Sequence, residues 1–348
     1  CWGLTGQCVQ KGLDRLVMDN IHRSATRSTK DRFSIKHARG FTLSCGWGNL
    51  QTKDSQIATS LPMKKLLFQF DTDSHPSVFD TVVAYDGGAD HVIGHAGLTP
   101  DQVGALVDGT IFTRPPKEKK NTAIFVGGSD MEAGEALLAA VRKRFFGDFR
   151  VSVMLDSNGS NTTAAACVAK LMTSGSITDK RAVILAGTGP VGQRAAVMLA
   201  KAGAGEILLT SRQQGRANKT ATDLRERFGL EVTPIEAPTA EDRAKILEGA
   251  QILIATGATG VELLKEAHWI SNPTLELVAD ANATPPLGLG GLDMMDRGTD
   301  RSGKKVWGAI GFGTLKLALH RACIAKLFET NDQILNAEAI FDIAKEMA

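Results

Sequence analysis

The chain of 348 residues has few aromatic side chains and no long apolar run. Phe, Trp and Tyr make up 5% of the residues, and Tyr85 is the single tyrosine. A surface that stacks the bases of single-stranded nucleic acid on aromatic rings is therefore not expected. No stretch approaches the roughly 18 consecutive apolar residues of a membrane-spanning helix. Neither nucleic acid nor a membrane is expected as a partner.

Cysteine is also scarce and shows no paired spacing. The five cysteines are an odd number, and no two of them have the CxxC spacing typical of zinc or redox sites. Neither a disulfide framework nor a metal site is predicted. The pattern favours a reducing compartment, which we take to be the cytoplasm.

Positive charge is concentrated at the start of the chain. The formal net charge is +2, but residues 1–62 carry +5 and leave −3 on residues 63–348. The same segment begins with Cys, shows no sustained hydrophobic periodicity and lacks the continuous apolar region of a targeting peptide. We expect residues 1–62 to be a translated upstream extension, without packed structure and dispensable, with the native start at Met63.

From Met63 onward, strand-like and helix-like segments alternate. One series runs from a strand at 65–70 to a helix at 162–173, and a second runs from a strand at 181–186 to a strand at 275–279. Such alternation is typical of parallel sheets covered by helices on both faces. We predict an α/β protein with two open parallel-sheet domains, the second a Rossmann domain, closed by C-terminal helices. The boundaries are expected at 63–175, 176–310 and 311–348.

The clearest binding motif is Gly187-Thr188-Gly189-Pro190-Val191-Gly192. It follows an apolar strand and opens a helix, as the GxGxxG fingerprint of dinucleotide-binding proteins does. The first glycine permits the tight turn, the second lets a pyrophosphate approach the backbone, and the third lets helix and strand pack closely. The free N–H groups and the positive end of the helix dipole are expected to bind the phosphates.

The end of the second strand of this series indicates which dinucleotide is bound. An NAD-specific site usually has Asp or Glu there, hydrogen-bonded to the ribose 2′-OH. This sequence has Ser211 and Arg212 instead, and Arg216 follows four residues later. Arg212 can pair with a 2′-phosphate, Ser211 can donate to it, and Arg216 is a second candidate. The predicted cofactor is therefore NADP.

Two further loops are expected to complete the nucleotide cleft. Ligands of open α/β sheets lie outside the carboxyl ends of the strands, and both loops follow predicted strands. Thr256, Gly257 and Ala258 have small side chains against which a ring can lie. Asn282 belongs to the polar loop 280–286. We predict that both loops contact the cofactor.

Two segments are candidates for the substrate side. Five of the six residues at 156–161 have polar side chains, more than the one that helix capping needs. We expect Asp156 and Asn158 to take part in catalysis, and Ser157 and Asn161 to bind the substrate. The glycine-rich stretch 308–313 is expected to be flexible, and Lys316 follows it. Lys316 is a third catalytic candidate, because its charge can orient an anionic or electron-rich substrate.

Several stretches match a known family, and together they span residues 63–348. They are KKLLFQFDTD (64–73), VAYDGGADH (83–91), TAIFVGG (122–128), MLDSNGSNTTAAA (154–166), LAGTGPVG (185–192), PPLGLGGLD (285–293) and LHRACIAKLFE (319–329). With these stretches the chain resembles the NADP-dependent methylene-tetrahydromethanopterin dehydrogenases of methylotrophic bacteria.

The resemblance implies a reaction, a binding cleft and an assembly. Members oxidise the methylene bridge of a reduced pterin to a methenyl group in one-carbon metabolism and pass a hydride to NADP⁺; some also accept methylene-tetrahydrofolate. The pterin lies between the two domains, and members are homo-oligomers, which implies a dimer or trimer here. Positions matching the family's pterin side are Phe79, Asp80, Asn158 and Lys316.

Two alternatives stay open from the sequence alone. Another dehydrogenase on this scaffold, such as a shikimate dehydrogenase, would be expected to carry a lysine–aspartate pair for alcohol oxidation, and no convincing pair is evident. A non-enzymatic module that senses NADP would keep the glycine motif but would not need the polar loop 156–161.

Overall fold

Two mainly parallel β-sheets organise residues 63–348, the part of the chain that the computed structural model describes. The expectation for residues 1–62 lies outside the described residues. The first sheet has the spatial order β12-β4-β3-β1-β2, and all of its strand pairs are parallel. Its strands are β1 (Leu66–Asp71), β2 (His91–His95), β3 (Thr122–Gly127), β4 (Ser152–Leu155) and β12 (Ile334–Leu335).

The second sheet has the spatial order β10-β11-β9-β8-β5-β6-β7. Six of these strands are parallel, and in the spatial order β7-β6-β5-β8-β9-β11 they follow the 3-2-1-4-5-6 order of a Rossmann fold. The seventh, β10, pairs antiparallel with β11 at the edge of the sheet. The strands are β5 (Arg181–Leu185), β6 (Glu206–Ser211), β7 (Thr233–Glu236), β8 (Ile252–Ala255), β9 (Leu277–Asp280), β10 (Arg297–Arg301) and β11 (Lys304–Trp307).

Helices connect most of the strands. Several begin where a polar side chain caps the first turn: Ser77 accepts from the backbone N–H of Asp80, and Asp130 accepts from that of Ala133. Within the described range, no helix combines the length and apolarity needed to cross a membrane. The helices are α1 (Val78–Asp86), α2 (Val103–Phe112), α3 (Met131–Lys143), α4 (Ser160–Ser174), α5 (Pro190–Lys201), α6 (Gln214–Phe228), α7 (Ala240–Ile246), α8 (Ala309–Lys326) and α9 (Ala337–Met347).

One apolar core is shared by both sheets. It contains side chains of β1, β3 and β4 from the first sheet, of β5, β6, β8 and β9 from the second, and of α4, α5, α8 and α9. Two further cores pack separately, one with α2 and α3 against the first sheet and one against the second sheet. The C-terminal segment also returns to the first sheet, where β12 pairs with β4.

The structure differs from the sequence prediction in the C-terminal quarter. Residues 309–313 form the start of α8 and Gly308 is its N-cap, so this stretch is helical where a flexible segment was expected. Its glycines permit close packing, since a Cβ at Gly308 or Gly311 would overlap the carbonyl oxygens of Asp293 or Asp296. The β10–β11 hairpin was not predicted because β10 is largely exposed and charged, which leaves no apolar pattern to detect.

Candidate active site

Each sheet has one point at which the strand order reverses, and a cavity lies at each. In the first sheet, β2 and β3 lie on opposite sides of β1; in the second, β6 and β8 lie on opposite sides of β5. Such switch points leave a crevice at the carboxyl ends of the strands where ligands bind. We call the cavity of about 260 Å³ at the first point the first-sheet cavity and that of about 550 Å³ at the second the second-sheet cavity.

The glycine turn forms one wall of the second-sheet cavity. A Cβ at Gly187 would lie 2.8 Å from Leu209 Cγ, and one at Gly192 would lie 2.5 Å from Gly187 Cα, so both glycines are required by packing. Gly189 instead has nothing within 4 Å of such a Cβ, which leaves its backbone open to a ligand. No side chain caps the start of α5, so backbone N–H groups remain available there.

Most of the residues predicted to bind the cofactor do line this cavity. Gly187, Gly192 and Asn282 do not: the two glycines shape the turn from beneath, and buried Asn282 accepts from the backbone N–H of Thr284, while neighbouring Ala281 faces the cavity. The lining residues among those predicted are Thr188, Gly189, Pro190, Val191, Ser211, Arg212, Arg216, Thr256, Gly257 and Ala258.

Thr256 ties two strand ends together at the switch point. Its Oγ1 donates to the carbonyl oxygens of Leu185 at 3.0 Å and Ala186 at 3.3 Å. Ala186 has a φ of 52°, a left-handed conformation that is rare for residues with a Cβ. The hydroxyl therefore helps to hold the strained residue that leads into the glycine turn.

Sequence reasoning missed Arg243 on α7. This residue lines a side pocket of about 140 Å³ together with Ser211, Arg212 and Ala237. Its guanidinium donates to the carbonyl oxygen of Leu263 at 2.7 Å, and its pKa is lowered by burial first and by Arg212 second. No sequence signal could have found it, because it lies 31 positions beyond Arg212 in a short helix with an exposed charge pattern.

The first-sheet cavity brings together four residues predicted for the substrate side. Phe79, Asp80, Asn158 and Lys316 all line it. The Phe79 side chain is 51% exposed, and Lys316 Nζ lies 4.8 Å from the centroid of its ring. An exposed ring with a cation beside it offers a flat apolar face and a positive charge to a bound molecule.

Asp80 has a strongly shifted ionisation. Burial, and then the nearby carboxylate of Asp156, raises its pKa to about 7, while the Ser77 hydroxyl and the Lys316 ammonium pull the pKa down. Asp80 and Lys316 are thus electrostatically coupled across one cavity. This lysine–aspartate pair was not evident in the sequence because 235 residues separate its members, and only the return of α8 to the first sheet brings them together.

The loop 156–161 supplies one exposed residue to the cavities. Asn158 borders both of them, and its φ of 55° places it in the left-handed region that Asn tolerates better than most residues. Its backbone N–H donates to the carbonyl oxygen of Gly128 at 2.7 Å, which fixes the loop against the end of β3. The two cavities therefore meet at Asn158.

The other predicted residues of this loop are buried and do not line either cavity. The Asp156 carboxylate accepts from the backbone N–H groups of Asn161 and Thr162 and from the Thr162 hydroxyl, and so serves the start of α4. The Asn161 amide donates to the carbonyl oxygen of Leu155, and Ser157 packs against Gly134 of α3. Their burial does not support the direct contact with substrate that the sequence suggested.

Asp73 and Ser129, which the sequence analysis did not single out, also line the first-sheet cavity. The Asp73 carboxylate accepts from the Ser129 hydroxyl at 2.9 Å and from its backbone N–H at 3.0 Å. Both residues follow the ends of central strands, β1 and β3. Position after a central strand was the signal that could have indicated them.

This fold and these cavities define the class of protein. A Rossmann sheet with an open glycine turn, next to a second α/β domain with its own cavity, is the arrangement of an oxidoreductase that uses a nicotinamide dinucleotide.

Comparison with known proteins identifies the family. The family model described as methylene-tetrahydromethanopterin dehydrogenase, N-terminal, matches residues 78–158. The bifunctional protein MdtA of Methylorubrum extorquens is 57% identical over 287 residues, covering 82% of this chain and 99% of that protein. An NAD(P)-dependent methylenetetrahydromethanopterin dehydrogenase of the same organism is 31% identical over 283 residues, covering 79% and 95%. The chain belongs to the methylene-tetrahydromethanopterin dehydrogenase family.

Among solved structures, shikimate 5-dehydrogenase from Listeria monocytogenes in complex with shikimate and NAD is similar at 14% identity, with a TM-score of 0.47 and coverage of 81% of this chain and 97% of that one. The α/β fold, the family and the enzyme class predicted from the sequence are confirmed. A non-enzymatic sensing module is not the class to which this chain belongs.

Proposed function

We propose that the protein oxidises the methylene group of methylene-tetrahydromethanopterin to methenyl by direct hydride transfer to NADP⁺, as a step of formaldehyde and other one-carbon metabolism. The observation that carries the proposal is the meeting of the two cavities at Asn158, in a chain of this family. Methylene-tetrahydrofolate is the second candidate carrier, because it presents the same reacting carbon between two nitrogens.

The second-sheet cavity fits NADP. The open backbone at Gly189 and the uncapped start of α5 suit the pyrophosphate. Exposed Arg212 and Arg216 stand at the rim with the hydroxyl of Ser211, and are proposed to bind the 2′-phosphate through charge-assisted hydrogen bonds. The absence of an acidic residue at the end of β6 also removes the repulsion that would exclude this phosphate.

The first-sheet cavity fits the pterin. The Phe79 ring offers a face for the heterocycle, and the Asp80 carboxylate can accept from its amino edge. Lys316 is proposed to orient the pterin or its tail, and Asn158 to hold the reacting carbon next to the second-sheet cavity. Asp156, Ser157 and Asn161 are proposed to act indirectly, by fixing the backbone that carries Asn158.

The proposed mechanism needs no general base. The reacting carbon lies between two nitrogens, and a nitrogen lone pair delocalises the positive charge that remains, so no proton has to leave. Bound NADP⁺ supplies the hydride acceptor. The chain's own residues hold the two ligands against each other and exclude water, and positioning of this kind can lower a barrier by roughly 7–11 kcal/mol.

One assay tests the proposal directly. The full chain is incubated with methylene-tetrahydromethanopterin or methylene-tetrahydrofolate and either NADP⁺ or NAD⁺, and reduced cofactor is followed by absorbance. We expect NADPH formation with at least the first carrier. Tight NADP binding without turnover of either carrier, or turnover of shikimate alone, would overturn the proposal.

Two further expectations remain proposals. The chain is proposed to be a homo-oligomer, a dimer or trimer, and the apolar side chains that α1 exposes, Val78, Val82 and Tyr85, support a surface that is covered in an assembly. Light scattering coupled to gel filtration gives the number of subunits. A cytoplasmic location is also proposed, and it is supported by Cys167 and Cys323, which are free thiols, as expected in a reducing compartment.

A further inference from the structure

Three charged residues join helix α3 of the first domain to helices α5 and α6 of the second. The Glu135 carboxylate on α3 accepts hydrogen bonds from the guanidinium groups of Arg194 on α5 and Arg227 on α6. We call Glu135, Arg194 and Arg227 the charged clasp. One turn earlier on α3, Glu132 pairs with Lys219 of α6 at 3.4 Å. Helix α3 packs on the first sheet, so these side chains span the two domains.

Two of the clasp residues, Glu135 and Arg194, lie on helices that begin beside the cavities. Helix α3 begins two residues after Ser129, which lines the first-sheet cavity, and its Gly134 packs so tightly on Ser157 that a Cβ would overlap the serine hydroxyl. Ser157 directly precedes Asn158. Helix α5 begins at the glycine turn, and Arg194 is five residues beyond Gly189. The clasp thus links α3, which supports the loop 156–161, to α5, which begins at the glycine turn.

The burial of Arg194 restricts the geometry of its ion pair with Glu135. Only 2% of this side chain is exposed, and its guanidinium carbon lies 5.4 Å from the centroid of the Phe228 ring. Burial lowers its pKa to about 10, so it stays charged at neutral pH, and Glu338 and Asp156 act to raise that pKa. A buried charge without a partner is costly, and a planar guanidinium can donate to a carboxylate in only a few arrangements. The pair therefore tolerates little change in the separation of α3 and α5.

We infer that Glu135 and Arg194 are positioning residues that set the separation between the loop 156–161 and the glycine turn, and hence the distance over which the hydride is transferred. This inference rests on the proposed function. Neither side chain lines the first-sheet or the second-sheet cavity, so their effect is exerted through Ser157 and Asn158 on one side and α5 on the other.

The test uses the full chain with Glu135→Gln and with Arg194→Lys, which keeps the charge but loses the planar fork. The control is Arg181→Gln, whose pair with Glu206 lies wholly within the second sheet. Four quantities are measured: kcat, KM for the methylene-pterin, the dissociation constant of NADP, and the primary isotope effect on kcat with substrate deuterated at the methylene carbon. The yield of a carbodiimide cross-link between Glu132 and Lys219 reports on the domain contact without turnover.

We expect Glu135→Gln to lower kcat by about 10- to 100-fold, since an error of about 1 Å in placement has costs of this order. The NADP dissociation constant should change less than threefold, and the isotope effect should rise as hydride transfer becomes rate-limiting. The cross-link yield should fall several-fold. Arg194→Lys should change each quantity in the same direction, and Arg181→Gln should change none.

The inference is overturned if kcat, the isotope effect and the cross-link yield are all unchanged in both variants, or if kcat falls with an unchanged isotope effect and cross-link yield. Arg194→Lys decides the matter if Glu135→Gln does not fold. If the unmodified protein turns over no methylene-pterin, the proposed function fails, and the cross-link alone then decides: a reduced yield in the variants supports the clasp, and an unchanged yield rejects it.

Discussion

Arg212 is the residue on which the predicted choice of cofactor depends. It is exposed at the rim of the second-sheet cavity, beside Arg216 and the buried Ser211. A hydrogen bond to a charged group contributes roughly 1.5–3 kcal/mol, or about a 10- to 150-fold preference. We expect Arg212→Asp to weaken NADP binding by about that factor and to leave NAD binding nearly unchanged, as measured by titration of each dinucleotide. Unaltered NADP affinity would assign the phosphate to Arg216 or Arg243.

Lys316 lines the first-sheet cavity beside Asp80, and its effect on the ionisation of Asp80 gives a sharper test than loss of activity alone. The ammonium pulls the pKa of Asp80 down, so its removal should move an Asp80-dependent inflection of the kcat/KM–pH profile from near 7 to higher pH. We expect Lys316→Ala to reduce kcat/KM for the methylene-pterin by up to about 100-fold through misplacement, with NADP binding intact. A profile in which the inflection disappears with Lys316→Ala would instead make the lysine itself the ionising group.

Asp80 also predicts how stability varies with pH. The pKa of Asp80 is about 7 in the folded protein, compared with a reference value of 3.8. Between about pH 4 and 7, the folded state therefore keeps a proton on Asp80 that the unfolded state has already released. Stability from this group therefore falls as pH rises from about 4 to 7. A shift of one pKa unit corresponds to about 1.4 kcal/mol, and the effect is reduced here because the cavity is open to solvent. As the pH is raised from 5 to 8, the free energy of unfolding of Asp80→Asn should therefore increase by about 1–2 kcal/mol relative to that of the unmodified protein. Urea titrations of both proteins at the two pH values measure this, and a constant difference would contradict the shift.

Among the helices and strands, those with a strong apolar pattern were predictable and the polar ones were not. The buried strands β5 and β8 stood out as short apolar runs, and the glycine turn fixed the start of α5. The hairpin partner β10 and the two-residue β12 have no such pattern, because each depends on a neighbour distant in sequence. The start of α8 was hidden by glycines, which close packing requires there.

The residues of the candidate site also fall into a group that could be predicted from the sequence and a group that could not. Residues of the glycine turn and of the loops after β6 and β8 could be placed in advance, because the carboxyl edge of a parallel sheet is where ligands bind. Phe79 and Asp80 on α1 were predicted only from the resemblance to the family. The loop 156–161 misled because a polar side chain in a sequence does not reveal whether it faces a ligand or a helix start. Asp156 and Asn161 face the helix start and leave Asn158 exposed. Likewise, Arg194 and Glu135 meet only through the folded domains.

The glycine turn makes a prediction at the scale of one element. Gly192 packs on Gly187 so closely that an added methyl group has no room, whereas Gly189 faces open space. We expect Gly192→Ala to lower the melting temperature and to weaken NADP binding together, because α5 must move away from β5. Gly189→Ala should keep the melting temperature and weaken only NADP binding, because its methyl group meets the ligand and not the protein. Thermal melts and NADP titrations of both variants separate these effects, and equal melting temperatures would contradict the packing argument.

At the scale of the whole molecule, the shared core decides how the two domains unfold. Side chains of α4 pack with both sheets in one continuous core, so neither sheet can lose its covering without exposing part of the other. Separate domains usually unfold in separate transitions, whereas a common core favours one cooperative transition. The same continuity fits a site in which the two cavities must keep a fixed separation.

Leu171 on α4 provides the test of this cooperativity. It is fully buried in the shared core, and its neighbour Met172 is exposed, which makes Met172→Ala the matched control. Removing a buried leucine side chain costs about 2–5 kcal/mol. We expect Leu171→Ala to lower the free energy of unfolding by this amount, with one calorimetric transition and an equal loss of hydrogen-exchange protection in β3 and β8, while Met172→Ala changes little. Loss of protection in only one of these strands would mean that the sheets unfold independently, and the fixed separation at Asn158 would then need to be maintained by the charged clasp.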